Sequence, residues 1–362
     1  MLHIMLAATL AMAGGAQGTS QGASRTGWEA IQSGDGDKAA LAFRQAIAAN
    51  PRDPDSLAGA GMAAHLLGRD DEAMRYLTKA LDVAPNYAYA AYLLGQIAYS
   101  SGDIDLAIKS YERAIKISPG DALIYKQLEA WKKEAALHDS FASRPGVRFN
   151  VLFEGPARQP IADRVSASLE AAYLRIGKAL NAYPTETITA ILYTQEQFHD
   201  ITKAPAWAGG AYDGRIRIPV FGALNAPGEL NRIVTHEFVH ALIHSVAPRG
   251  GVPRWLNEGL ATYFEPADHR WLQQQLRAVP TRIPLARLEE GFGQFNGEEA
   301  LIAYAESMVA AQVLVERLGP SFPVFLEYVG NGTSLEQALL LFKISPADIE
   351  REWTRRSGTT HR

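Results

Sequence analysis

The sequence predicts an α+β chain, mostly α: a helical-repeat solenoid, then a second domain with a small sheet and a helical C-terminal part. Three observations carry that expectation. A period of 34 residues, set by Pro51, Pro85 and Pro119, runs through the first third of the chain. After residue 146 strand-like alternation interleaves with helical periodicity. From residue 227 onward the pattern reads as almost all helix. At 362 residues the chain has length for two domains with cores of their own.

The repeat is explicit residue by residue. Five positions before each proline stands an alanine, Ala46, Ala80 and Ala114. Three before those stands a large apolar residue, Phe43, Leu77 or Tyr111. Gly27, Gly61 and Gly95 recur at the same period, as do Gly34, Gly68 and Gly102, and Ala39, Ala73 and Ala107. Each unit reads as two helices joined by a turn at Gly34, Gly68 or Gly102, with Asp35 and Asp103 as helix caps and the proline stopping the second helix. This arrangement resembles the tetratricopeptide repeat (TPR) family, with three units over residues 20–53, 54–87 and 88–121 and a capping helix over 122–138. The first unit departs from the family pattern. Ala23 and Thr26 stand where a bulky aromatic and a leucine are usual, which weakens the expected packing of its first helix.

Composition excludes several function classes. Lys+Arg total 35 against Asp+Glu 39, a net charge of −4, which gives no global field for nucleic acid or an anionic membrane. With no cysteine there is no disulfide, thiol nucleophile or Cys-ligated zinc, so any metal must use His and carboxylates. The apolar run over residues 4–13, with the small-x-small string Ala11-Met12-Ala13, reads as a secretory signal over residues 1–18. An exported, periplasmic or secreted protein is therefore expected, with no transmembrane anchor: the run is shorter than the ~20 residues a span requires.

Residues 139–146 read as a linker and residues 147–356 as the second domain. Strands are expected over 147–153, 187–193 and 215–220, a helix over 162–182, and a Gly-rich turn over 207–214. Pro219 is compatible with an edge position for the strand over 215–220, since it removes a ladder donor.

The chemistry concentrates at Thr235-His236-Glu237-Phe238-Val239-His240. On a helix His236 and His240 share one face and can aim ring nitrogens at one metal ion. Glu237 falls beside that face and places a carboxylate near a metal-bound water. A hydrolytic zinc site takes three protein ligands and leaves one position open. The segment Trp255-Leu256-Asn257-Glu258-Gly259-Leu260-Ala261 follows a Gly- and Pro-containing turn that would fold it back against the first helix. Together the two motifs resemble the gluzincins, zinc peptidases of the thermolysin and aminopeptidase kind. With TPR units upstream, the whole resembles bacterial TPR proteins carrying a peptidase MA-like domain.

The resemblance implies one Zn2+ held by His236, His240 and Glu258, with Glu237 as general base. Tyr304 is its candidate oxyanion donor, and Glu265 can orient a histidine where the family often has an acidic residue and this chain has Thr262. Tyr263 should face away, His269 is an outside candidate donor, and His244 is expected to pack near the helix end. A metzincin pattern fails, since Ile243 and Val246 occupy its required Gly and His positions.

The implied function is zinc-dependent hydrolysis of peptide bonds, with the TPR module recruiting a partner or substrate. The alternative is a TPR scaffold whose peptidase-like domain is inactive. The concave TPR face is expected to present Trp28, Ile31, Met62, His65, Tyr92, Gln96 and Tyr99. That face suits an apolar partner, or is filled by the capping helix as ordinary core.

Overall fold

A computed structural model describes residues 16–204, 209–220, 227–266 and 297–357, with isolated positions between 267 and 296. The signal-peptide expectation, apart from residues 16–18, lies outside them, as does His269. Two compact units divide at Lys132/Lys133.

The first unit is three helix pairs: α1 (Ala16–Gln32) with α2 (Gly36–Ala49), α3 (Pro54–Leu66) with α4 (Asp70–Val83), and α5 (Ala88–Ser100) with α6 (Ile104–Ile117). Helix α7 (Ala122–His138) begins in this unit. The turn glycines Gly34, Gly68 and Gly102 have φ of 75°, 70° and 90°, a region that side chains rarely adopt, so the period is set by backbone need. Asp35 and Asp103 cap α2 and α6, accepting from the backbone N–H of Lys38 and Leu106. Phe43, Leu77 and Tyr111 are buried at equivalent positions.

Helix α1 is tied down by polar contacts despite Ala23 and Thr26. Ser24 Oγ and Trp28 Nε1 each donate to Asp55 Oδ2 at 2.9 Å, and the Tyr87 hydroxyl donates to Asp55 Oδ1 at 3.0 Å. Several groove residues are engaged from within. Trp28 packs edge-on to Phe43, and Tyr92 stacks on Tyr111. Met62, Ile31 and His65 are half-buried and Gln96 is exposed. Tyr99 stacks on Trp131 of α7 with ring centroids 4.6 Å apart. At this position the face follows the second of its two expected readings, with the capping helix covering it as core.

The second unit takes the end of α7 and a five-stranded sheet of order β1-β2-β3-β5-β4. The strands are β1 (Phe141–Arg144), β2 (Phe149–Glu154), β3 (Ile188–Tyr193), β4 (Ala211–Tyr212) and β5 (Ile216–Pro219). β2, β3 and β5 run parallel, and the outer two pair antiparallel. Helix α8 (Gln159–Leu180) connects β2 to β3, and α9 (Gln195–Thr202) follows β3. One sheet face, with Phe149, Val151, Phe153, Leu192, Ile216 and Ile218, joins the main core with α8 and α10 (Pro227–Val246). The opposite face buries Ile191 and Tyr193 against Phe198.

Two expectations are corrected here. The segment 139–146 is no linker: residues 141–144 form β1, paired in register with Val151 to Glu154 of β2. The strand over 215–220 is no edge either. β5 lies between β3 and β4, and the edge is the two-residue β4, inside the segment read as a turn. Pro219 sits at the end of β5, past the two residues that β4 pairs. That placement removes no ladder bond to β4.

β5 also carries a charge inside the protein. Arg217 is fully buried, donating to Glu134 Oε1 and the Tyr193 hydroxyl at 2.7 Å and to Asp213 at 2.9 Å. The neighbouring His138 ring bonds the Tyr193 hydroxyl at 2.7 Å. Burial pulls the His138 pKa from 6.5 down to about 4, with Arg215 and Arg217 adding to the fall and Glu134 opposing it.

The helical remainder comprises α11 (Arg254–Phe264), α12 (Gly297–Leu318), α13 (Phe322–Gly330), α14 (Leu335–Leu341) and α15 (Pro346–Ser357). No helix among the described residues is long and apolar enough to cross a membrane.

Candidate functional site

Helix α10 carries its apolar residues, Leu230, Val234, Phe238, Val239 and Leu242, into the core. Its remaining stripe, with His236 and His240, faces α11. Helix α11 starts after Pro253, whose fixed φ suits a helix entry. It buries Trp255, Leu256, Leu260 and Phe264, which leaves Glu258 pointing at the histidines. Gly259 sets the depth of packing on its other side. A Cβ there would lie 2.2 Å from the Ser307 carbonyl oxygen of α12, so only glycine lets these helices cross this closely.

The ligand atoms of His236, His240 and Glu258 lie within 4.8 Å of one another. Glu258 Oε2 is 3.5 Å from His236 Nε2 and 3.9 Å from His240 Nε2. The other ring nitrogens are each held. His236 Nδ1 donates to Glu265 Oε1 at 2.8 Å, and His240 Nδ1 donates to Asn257 Oδ1 at 2.8 Å. Those bonds turn both Nε2 atoms toward Glu258, the arrangement a metal-binding imidazole requires. The donor set, two imidazoles and a carboxylate without sulfur, suits a borderline cation such as Zn2+ and leaves a position open.

The electrostatics are those of a buried cluster. Burial pushes the Glu237 carboxyl from 4.5 up to about 7, with His236 opposing and Glu258 reinforcing the rise. Burial also lowers His236, but the hydrogen bonds to Glu258 and Glu265 outweigh it and raise that imidazole to about 10. His240 goes the other way, to about 4, through burial and then the charge of His236. Glu258 ends below its ordinary value: burial raises it, but the His236 hydrogen bond and His240 prevail.

Glu237 is 5% exposed, and its carboxylate makes no hydrogen bond or ion pair among the described residues. The backbone of Gly210 lies against it; a Cβ there would sit 2.6 Å from Glu237 Oε1. Gly210 leads directly into the edge strand β4.

The other candidates separate clearly. Tyr304 on α12 is half-buried, and its hydroxyl is pushed above its ordinary range by burial and then by Glu258, with Glu237 and Glu265 contributing. It stands in the field of the cluster. Tyr263 is pushed up by burial and by Glu316, away from the cluster. His244 packs against Tyr212 at 5.9 Å and contributes nothing to the ligand group. Glu265 takes the orienting role expected of it. Asn257 was missed, although it stands beside Glu258 in the quoted motif. Arg232 was missed too. It donates to Glu265 Oε1 at 3.0 Å while its fork is held by Glu229 at 2.6 and 2.9 Å.

Comparison with known proteins agrees with this division of the chain. A family model for tetratricopeptide repeats matches residues 25–86 and 71–122. Small glutamine-rich tetratricopeptide repeat-containing protein 2 of Mycosarcoma maydis is 26% identical over 114 residues, covering 32% of this chain and 32% of that protein. The chain thus spans about a third of the length of that curated relative. Among solved structures, MamA is 23% identical with a TM-score of 0.32, over 33% of this chain and 70% of that one. The first TPR of Spaghetti (RPAP3) bound to an HSP90 peptide is 18% identical with a TM-score of 0.32, over 33% and 97%. A family model described as the Peptidase MA superfamily matches residues 169–355, a span that holds His236, Glu237, His240, Glu258, Glu265 and Tyr304. That span is just over half of the sequence, and the chain belongs to the Peptidase MA superfamily, with tetratricopeptide repeats ahead of its peptidase-like domain.

Proposed function

We propose that the chain is a zinc-dependent peptidase that hydrolyses peptide bonds in protein or peptide substrates, and that its repeats recruit a protein partner or substrate. The observation that carries this reading is Glu237. Its carboxylate makes no hydrogen bond or ion pair among the described residues and stands beside His236, His240 and Glu258, where it can meet a water or a substrate.

Those three residues would hold one Zn2+. Bound there, the ion would polarise a water molecule and lower its pKa toward roughly 7. Glu237, beside the ligand group, would take a proton from the attacking water and return it to the leaving nitrogen. Tyr304 donates a hydrogen bond to the carbonyl oxygen as charge develops on it. An extended substrate pairs its backbone with the edge strand β4, which Gly210 brings alongside Glu237. The apolar run over residues 4–13 supports export of the protein.

The test compares wild type with Glu237→Gln on casein and on a peptide library, with zinc content measured in both. The proposal expects equal zinc and a loss of turnover of at least about 100-fold, the range of a general base. Turnover undiminished in Glu237→Gln would overturn the mechanism. Zinc-loaded wild type that cuts nothing would instead favour the scaffold reading.

A further inference from the structure

Two guanidinium groups stand by the ligand cluster, and the chain treats them differently. Arg232, one turn before His236 on α10, is committed to Glu229 and Glu265. Arg254 is the first residue of α11, one turn before Glu258, so the two project from the same side of the helix. Arg254 is exposed and makes no hydrogen bond or ion pair among the described residues. Glu258 does not engage it, because that carboxylate turns Oε2 to the two histidines.

Helix energetics give no reason for arginine at this position. The N-terminus of a helix carries partial positive charge and disfavours a cation. The first turn of α11 holds no acidic residue to offset it.

We propose that Arg254 is a specificity residue that receives a carboxylate of the substrate, an Asp or Glu side chain or a free C-terminus close to the scissile bond. The inference rests on the peptidase reading and names its substrate class. A negatively charged group bound here lies close to the Glu258 carboxylate, one turn along the same helix, and Arg254 supplies the cation that offsets this repulsion. Arginine suits that task, since its planar fork matches a carboxylate and remains charged at any working pH.

The test uses the zinc-loaded full-length Glu237→Gln protein, which binds without turning over. Three labelled peptides of one apolar core are titrated by fluorescence anisotropy: one with a glutamate and an amidated C-terminus, one neutral with a free C-terminus, and one neutral and amidated. The expected result is that at least one carboxylate-bearing peptide binds about 10-fold more tightly than the neutral amidated one, the ratio given by one partly exposed charge-assisted hydrogen bond. Which of the two responds identifies the source of the carboxylate. Adding Arg254→Gln should bring the ratio to about one, and Arg254→Glu should shift preference to a lysine-bearing peptide, with zinc content and melting temperature showing that the site is intact.

Equal binding of all three peptides, or a preference that survives Arg254→Gln, would overturn the proposal. Cleavage by wild type of all three at equal kcat/KM would overturn it while leaving the peptidase reading standing. Selective binding without any cleavage by wild type would leave the carboxylate site standing and remove the peptidase reading.

Discussion

Replacing Glu265 by alanine should weaken zinc binding about 10- to 100-fold without unfolding the protein. The carboxylate does one thing for the proposed ligand set: its Oε1 accepts from His236 Nδ1 at 2.8 Å and so holds Nε2 toward Glu258. A hydrogen bond of this kind to a charged group is worth about 1.5–3 kcal/mol. Losing an orienting partner typically costs 10–100-fold in metal affinity, about 1.4–2.7 kcal/mol, and the two figures agree. The fold should survive, because the stranded partner Arg232 is 33% exposed and keeps its fork on Glu229. Asn257→Ala removes the equivalent bond on His240, but a neutral one, so its loss should fall near the lower end. Competition against a fluorescent zinc chelator measures both, with circular dichroism reporting the fold. A zinc Kd for Glu265→Ala within about twofold of wild type would show that this carboxylate does not orient His236, and the reasoning would fail.

Three further outcomes are expected. Gly259→Ala places a Cβ 2.2 Å from the Ser307 carbonyl oxygen, so denaturant titration should show a loss of about 1–3 kcal/mol, and an unchanged midpoint would contradict the tight crossing of α11 and α12. Gly210→Ala forces the Glu237 carboxylate aside; kcat should drop at least about 10-fold while zinc content stays at the wild-type level, and an unaltered kcat would deny the contact a role. His138 has a folded pKa near 4 against an ordinary 6.5, so the unfolded chain binds its proton first. Its effect is therefore absent above pH 6.5 and grows as pH falls toward 4, reaching about 3 kcal/mol of lost stability. Unfolding titrations across that range should be visibly flatter for His138→Gln, and parallel curves would refute the assignment.

Much of this molecule was legible because the informative residues act locally. Gly34, Gly68 and Gly102 mark a turn that only a left-handed backbone can make, and His236 with His240 need nothing but helical spacing to share a face. What escaped depends on partners far along the chain. Phe141 to Arg144 resemble a linker in composition and become a strand only because β2 pairs with them. Arg217 looks like the polar side of a surface strand; its burial follows from Glu134, 83 positions earlier. The edge position of β4 rests on two residue pairs, too few for any alternation to register. Asn257 was within reach, since any histidine ligand needs an acceptor at its second nitrogen, and the residue before Glu258 offers one.

Helix α11 and its C-terminal cap residue supply Glu258 and both orienting acceptors, Asn257 for His240 and Glu265 for His236. Sliding α11 along α10 by one turn would remove all three from the histidines together. The pair of helices thus has one productive alignment, selected by two hydrogen bonds. A bound ion would join donors from both helices, and its binding energy would act as a clasp on that alignment. Zinc loading should therefore protect the amides of α10 and α11 from hydrogen exchange together, as one cooperative block.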